Sequence, residues 1–233
     1  MPATPADDVP LEQSERWASL HTLLAECLKE PTEGFVEEVT AGRLEGELTG
    51  HVEALDLSLS EPVPPRPEDR AALQRSYLSL FEAMEQPFAP PVESPYKPWY
   101  GDRSGGLMEG PSASDMESRY EAIDASPPPA YPADHVALLL EYGALLLEAG
   151  AVEEYGQFLE AHMDWIPAFD QLVDDAARED PFYDWAVDVL REVTADLRDR
   201  FGVAQPTAEE IEAMADRVDG SEPPERGDAV FDP

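Results

Sequence analysis

Basic residues are scarce in this chain of 233 residues. Fifteen lysines and arginines stand against 51 acidic residues, and only Lys29 and Lys97 are lysine, so the formal net charge is −36. Nucleic-acid binding and attraction to anionic lipid both depend on clusters of basic side chains. The composition therefore excludes ordinary nucleic-acid binding and argues against docking on an anionic membrane surface.

Cysteine is nearly absent too, because Cys27 is the only one. A single thiol excludes an internal disulfide and any zinc or iron–sulfur site built on the cysteines of one chain. Cys27 lies on the apolar side of a predicted helix, together with Leu20 and Leu24, and we expect it in the core rather than as a reactive thiol. Such sparse use of cysteine fits a reducing cytoplasm.

Long hydrophobic runs are also missing. The most apolar stretch, Val136 to Val152, is interrupted by Glu141 and Glu148 and is typical of a buried core helix rather than a membrane span. The first eight residues lack both the basic and the apolar region of a secretory signal. We therefore expect a cytoplasmic protein without membrane insertion.

Acidic residues, by contrast, are spread over every segment of the chain. Two explanations are open: an acid-coated surface suited to molar intracellular salt, or an acidic groove for a basic peptide. The even spread favours the first, because at about 1 M salt the Debye length is only ~3 Å and self-repulsion is screened. We predict a halophilic protein, within which a locally acidic peptide groove stays open as an alternative.

Apolar residues recur at helical spacing nearly throughout, and no stretch shows the sustained alternation of a strand. The sequence predicts an all-α, single-domain helical bundle over residues 11–217, with disordered segments at 1–10 and 218–233. A long loop rich in proline and glycine, Pro87 to Pro111, separates its N- and C-terminal halves.

Capping residues predict several helix boundaries. Thr32 can cap a short second helix, and Thr207 with Glu210 makes a capping box for the last one. The fourth helix is predicted from about Glu68 to Glu85 by its apolar stripe.

Two further helices are predicted on either side of a proline break. Ser112 resembles the start of one helix. Pro132 suits the first turn of the next, in which Asp134 would complement the helix dipole and which would end at Gly150.

Three segments stand in a fixed order in the middle of the chain. They read Tyr77-Leu-Ser-Leu80-Phe81 with Pro90-Pro91-Val92-Glu93-Ser94-Pro95-Tyr96, then Tyr131-Pro132-Ala133-Asp134-His135, then His162-Met163-Asp164-Trp165-Ile166-Pro167-Ala168-Phe169. In this order they resemble the TorD/DmsD/NarJ family, cytoplasmic chaperones that mature molybdenum-containing oxidoreductases before export by the twin-arginine route. The resemblance implies a TorD-like helical fold and a chaperone rather than an enzyme, with no cofactor of its own.

The resemblance also implies a binding site for the client's signal peptide. In the similar proteins an Asp-His pair at this helix start is implicated in that binding, and here Asp134 and His135, with Tyr131, match the position. Family members often carry an acid four residues after the histidine; here that residue is Leu139. Glu141 is the nearest substitute, although it lies about 200° away around the helix. From the residues alone, the alternative is that the pair only caps a helix and bonds a nearby loop.

The Pro-rich loop is the second candidate for peptide binding. The family's loop usually reads P-P-Y-E-S-x-Y, and this chain keeps Pro91, Glu93, Ser94 and Tyr96 while Val92 replaces an aromatic. A stiff loop that offers a carboxylate, a hydroxyl and a phenol can bind a peptide with little ordering cost. The alternative is a loop that merely packs under an aromatic ring. Aromatic residues on helical stripes are predicted to be core instead: Tyr77, Phe81, Trp165 and Phe169.

Catalytic motifs are absent from the sequence. The four histidines show no HxxxH or HExxH spacing, and neither a nucleophile elbow nor a phosphate-binding loop occurs. The alternative of a different class is an α-helical metal-dependent hydrolase that uses Asp134, His135 and His162.

We expect a chaperone that binds the apo catalytic subunit of a molybdopterin oxidoreductase of the dimethyl-sulfoxide-reductase superfamily. It would also bind the client's twin-arginine leader peptide, support cofactor insertion and delay export. The alternative within the family is a NarJ-type assembly factor for a nitrate reductase subunit. A monomer and a domain-swapped dimer are both open.

Overall fold

The computed structural model of the chain describes residues 11–82, 89–98, 110–176 and 181–219. Within these ranges the chain is helical and contains no strand, which confirms the predicted all-α, single-domain fold. The α-helices are α1 (Leu11–Cys27), α2 (Glu33–Thr40), α3 (Arg43–Leu55), α4 (Arg70–Tyr77), α5 (Pro111–Ala122), α6 (Val136–Glu148), α7 (Val152–His162), α8 (Ile166–Ala176), α9 (Pro181–Phe201) and α10 (Ala208–Asp219). The segment 1–10, the tail from 220 onward and positions 87–88 and 99–109 of the Pro/Gly-rich loop lie outside the described residues.

Helix α6 forms the centre of the fold. It packs along α1 and against α7, and most of its side chains are buried. Gly143 permits this approach, because a Cβ there would meet ring atoms of His21 and Tyr155 at 3.2 and 3.3 Å. Its 13 residues are too few to cross a bilayer, and no other described helix is both long and apolar enough to do so.

Aromatic rings fill the space between α4, α8 and α9. The ring of Phe81 lies 5.2 Å from Tyr77 and Tyr183 and 5.8 Å from Phe169, measured between centroids. Such edge and tilted contacts add to the large apolar area that each ring buries. The predicted core positions of Tyr77, Phe81, Trp165 and Phe169 are therefore confirmed. Cys27 is buried as predicted, and burial raises the pKa of its thiol.

Three predicted helix boundaries are confirmed. The hydroxyl of Thr32 accepts a hydrogen bond from the Phe35 amide at 3.2 Å at the start of α2. Thr207 and Glu210 form the reciprocal capping box before α10, with bonds of 2.8 and 3.3 Å. Gly150 follows α6 with a φ of +69°, a conformation that glycine adopts without strain.

The fourth helix, predicted from about Glu68 to Glu85, starts within two residues of the expected position but is not a regular α-helix, and its predicted end lies outside the described residues. Asp69 caps the helix by accepting a hydrogen bond from the Ala72 amide at 2.7 Å, so α4 begins at Arg70. After Tyr77 the α-helix gives way to a π-helical segment, Leu78–Glu82. The carbonyl of Leu80 in this segment accepts a hydrogen bond from the Ala89 amide at 2.8 Å, which ties the following segment to the helix end.

Two predicted helix starts in the C-terminal half are also wrong. Helix α5 begins at Pro111, not at Ser112, and its N-cap Gly110 has no side chain to bond. Proline suits the first helical position because it has no amide hydrogen to satisfy there. Helix α6 begins at Val136, four residues after Pro132, because the intervening residues form a turn and an extended backbone that pairs with another segment.

Candidate functional site

Two of the three sequence motifs pair with each other through their backbones. Val92 and His135 form an isolated antiparallel bridge, in which the Glu93 amide donates to the Asp134 carbonyl at 3.1 Å and the Val136 amide donates to the Pro91 carbonyl at 2.8 Å. We call residues 90–97 and 131–136 the clasp. The predicted Pro-rich loop and the predicted Asp-His motif are thus two halves of one structure.

Asp134 is the central side chain of the clasp. Its Oδ2 accepts hydrogen bonds from both the amide and the hydroxyl of Ser94, at 2.8 and 2.5 Å. The Ser94 hydroxyl in turn accepts from the Gly110 amide at 3.1 Å, so it connects the clasp to the start of α5. Asp134 is fully buried, and burial raises the pKa of its carboxyl to about 6. The carboxylate therefore faces the other half of the clasp and not the first turn of α6, where it was predicted.

His135 is the N-cap of α6. Its Nδ1 accepts a hydrogen bond from the Ala137 amide at 3.2 Å, which places the ring proton of the neutral form on Nε2. Burial lowers the pKa of His135 to about 3, so the ring is neutral at ordinary pH. The ring of Tyr131 lies 4.5 Å away between centroids.

Glu93 and His162 form a buried pair beside the clasp. His162 Nδ1 lies 2.8 Å from Glu93 Oε2, and Nε2 lies 2.9 Å from Asp115 Oδ2. Both ring nitrogens of His162 therefore face carboxylate oxygens. Lys97 Nζ is 3.6 Å from Glu93 Oε1 and also pairs with Asp164. The cluster joins the clasp to α5 and to the end of α7.

Tyr96 anchors the clasp to the C-terminal helices. The residue is buried, and its hydroxyl donates to the Pro90 carbonyl at 3.1 Å. Its ring lies 4.8 Å from that of Trp165 between centroids. The Tyr96 carbonyl accepts from Arg217 of α10 at 3.1 Å, so the last described helix also holds the loop in place.

The model of the nitrate reductase delta subunit family matches residues 43–171, more than half of the chain. The chain belongs to this family. The family includes the NarJ/TorD-like chaperones, so the resemblance expected from the three motifs is confirmed. The matched range contains all of the clasp and its partners Asp115 and His162. No curated protein matches the chain.

The remaining predicted site residues, Tyr131 and Glu141, lie at the edge of the clasp. Tyr131 is half-buried, and its hydroxyl accepts from the Glu30 amide at 3.1 Å. Glu141 lies on a different face of α6 from the buried Leu139 and pairs with Lys29 at 2.5 Å. Tyr131 thus ties the clasp, and Glu141 ties α6, to the segment after α1.

The metal-dependent arrangement considered for Asp134, His135 and His162 is not formed. The Asp134 carboxylate accepts from Ser94 and the His135 ring accepts from the Ala137 amide of α6, whereas His162 contacts Glu93 and Asp115. Over the described ranges, no group of three or more histidine, cysteine or acidic side chains is placed to hold a metal ion.

Sequence reasoning missed His162 and Lys97 as partners of Glu93. One signal was available, because Lys97 is one of only two lysines in the chain and follows Glu93 by four residues. The pairing of His162 with Glu93 spans 69 positions, and no local spacing indicates it.

Proposed function

We propose that this chain is a cytoplasmic chaperone that binds the apo catalytic subunit of a molybdopterin oxidoreductase of the dimethyl-sulfoxide-reductase superfamily, together with its twin-arginine leader peptide. Holding the client in this state supports insertion of the molybdenum cofactor and delays export. Membership of the family supports the proposal, because the family is one of molybdoenzyme maturation chaperones. Binding energy does the work, and no bond is made or broken.

One observation in the clasp carries the proposal. Asp134 Oδ1 and His135 Nε2 are buried without a hydrogen-bond partner among the described residues. They are an acceptor and a donor on adjacent residues, which is the pair that a peptide amide and carbonyl require. A buried polar group without a partner costs about 1–3 kcal/mol, and a peptide that satisfied both groups would recover that free energy.

Access to these two atoms requires the clasp to open. Asp134 and His135 are at most 2% exposed, so a client cannot reach them while the 90–97 half covers the 131–136 half. We propose that the client displaces the first half and that the residues of both halves, with Glu141 at the edge, take part in its binding. The residues assigned to client binding are Pro91, Glu93, Ser94, Tyr96, Tyr131, Asp134, His135 and Glu141.

A second candidate within the family is a NarJ-type assembly factor for a nitrate reductase subunit. The description of the matching family model, nitrate reductase delta subunit, favours it. The two candidates differ in whether the client carries a twin-arginine leader.

The clasp proposal is tested by titrating a fluorescent synthetic peptide, Ser-Arg-Arg-Ala-Phe-Leu-Ala-Ala-Ala-Ala, into wild type and into the His135→Gln and Asp134→Asn variants at one KCl concentration. Each variant should weaken binding by about 1–3 kcal/mol, because each alters a group offered to the peptide backbone. The two variants should weaken binding of a twin-lysine version of the peptide by the same amount as they weaken binding of the twin-arginine version, since backbone contacts do not depend on the peptide's side chains. Unchanged affinity in both variants would place the peptide elsewhere.

A further inference from the structure

A groove with a volume of about 530 Å³ opens between α1, α2 and α3. Glu148, the last residue of α6, forms part of its edge. The clasp meets α6 at its first residue, Val136, so the groove and the clasp lie at opposite ends of this helix, about 18 Å apart along its axis at 1.5 Å per residue. The groove is therefore separate from the site described above.

The walls of the groove carry charge of one sign. Glu26, Glu38, Glu47 and Glu148 line it, and no lysine or arginine does so among the described residues. The groove beside the clasp differs, because its lining includes Lys97, Arg198 and Arg217. Glu26 and Glu38 each have one basic neighbour, Lys29 and Arg43, but such exposed pairs contribute little.

The floor of the groove is apolar. Leu44 is buried there, and Leu23 and Phe35 are half-buried. Phe35 is held by an edge contact with Phe182, at 5.7 Å between centroids, so this part of the floor is fixed by the core. His51 also lines the groove, and its Nδ1 is buried without a partner among the described side chains.

We propose that this groove binds the adjacent basic residues of the client's leader peptide, with one apolar side chain of the peptide on Leu23 and Phe35. Charge complementarity supports this proposal, because carboxylates surround an apolar floor. A guanidinium next to an apolar side chain would match both features. That the occupant is the leader peptide rests on the proposed function. That the occupant is basic and partly apolar follows from the residues that line the groove. An extended peptide covers about 3.3 Å per residue, so roughly six residues beyond the arginines would reach the clasp.

Two glycines offer a matched test of this groove. Gly34 lies at its edge and Gly46 lies outside it, both are exposed in the first turn of a helix, and a Cβ at either would meet nothing within 4 Å. Gly34→Arg places a competing cation in the groove, whereas Gly46→Arg adds the same charge nearby. With the twin-arginine peptide, Gly34→Arg should raise Kd about tenfold or more, and Gly46→Arg should change it less than about twofold. Circular dichroism checks that both variants fold.

A second pair of variants removes charge instead of adding it. Glu47→Gln with Glu148→Gln should also raise Kd about tenfold. Its control, Glu153→Gln with Glu154→Gln, removes the same charge from exposed positions of α7 and should have little effect. The twin-lysine peptide should bind wild type more weakly, because an ammonium lacks the planar fork of the guanidinium.

The outcomes separate this inference from the proposed function. Equal losses in the groove variants and in their controls would overturn the inference, since they would reflect only the overall negative field. Losses in the clasp variants alone would overturn the inference and leave the clasp as the leader site. A wild type that retains an apo molybdoenzyme subunit but does not bind the peptide would overturn the inference and the leader-binding part of the proposed function, while binding of the apo subunit stood.

Discussion

Ser94 and Asp134, forty positions apart in the sequence, are joined by two hydrogen bonds to a single carboxylate oxygen. Through this contact the two halves of the clasp hold each other in place, and the hydroxyl of Ser94 extends the connection to Gly110. The second carboxylate oxygen of Asp134 has no partner among the described residues. The Asp134 carboxylate thus holds the two halves of the clasp together with Oδ2 and leaves Oδ1 able to accept a further hydrogen bond.

Loss of the Ser94 hydroxyl should destabilise the fold. Ser94→Ala removes one donor to Asp134 and the acceptor for the Gly110 amide, both in a buried setting, so we expect the free energy of unfolding to fall by about 1–3 kcal/mol. Urea denaturation at fixed KCl measures this. Ser118→Ala is the matched control, because Ser118 is exposed and bonds only within its helix, and it should change stability by less than about 0.5 kcal/mol. Equal effects would mean that the clasp contact contributes little.

Asp134→Asn should change how stability depends on pH. Burial raises the folded-state pKa of Asp134 to about 6, above its ordinary value of 3.8, so the carboxyl ionises later in the folded state and stability falls as pH rises from about 3.8 through 6. The asparagine variant avoids that loss. Its melting temperature relative to wild type should therefore be higher at pH 7.5 than at pH 5.

The pH effect of Asp134 must be measured as a difference between wild type and Asp134→Asn, because other buried groups change the stability of both in the opposite direction. Burial lowers the pKa values of His21 and His135 to about 4 and about 3, and each of these histidines reduces stability as pH falls below 6.5. Both are present in wild type and in the variant, so their effects cancel in the difference. A difference in melting temperature that did not change with pH would contradict the assignment of Asp134.

Much of the fold follows from local sequence, but the clasp does not. Thr32, Gly150 and the Thr207–Glu210 pair were predictable because caps and left-handed glycines depend on a few neighbouring residues. The start of α6 was not predictable, because Asp134 and His135 are not helical and instead pair with a loop about 40 positions earlier in the sequence. Sequence reasoning named residues in both halves of the clasp but missed their burial, because the pairing of distant segments buries polar side chains that the motifs alone predict to be exposed.

His162 should matter more for stability than its exposed partner. His162→Gln leaves the buried Glu93 carboxylate with Lys97, at 3.6 Å, as its one charged partner among the described residues. We expect a loss of about 3 kcal/mol in the free energy of unfolding. Asp115→Asn should cost less than about 1 kcal/mol, because Asp115 is half-exposed. The double variant Glu93→Gln with His162→Gln should lose less free energy of unfolding than the sum of the losses in the two single variants. Additive losses would show that the two side chains do not interact.

High salt should stabilise the protein. The chain carries a formal net charge of −36, and screening removes the resulting repulsion. We expect the melting temperature to rise steeply between about 0.1 M and 2 M KCl. Sucrose at the same osmolality serves as the control and should reproduce little of the increase. A flat response to KCl would contradict the predicted halophilic adaptation.

The central claim is that the chain binds the apo form of a molybdoenzyme catalytic subunit. The most direct measurement is to capture the affinity-tagged chain from its own cells in molar KCl, identify the retained proteins by mass spectrometry, and determine their molybdenum content. The account predicts a catalytic subunit of a molybdopterin oxidoreductase bound in near-equal amount and almost free of molybdenum. Retention of only the molybdenum-loaded enzyme, or of no molybdoenzyme subunit at all, would contradict it.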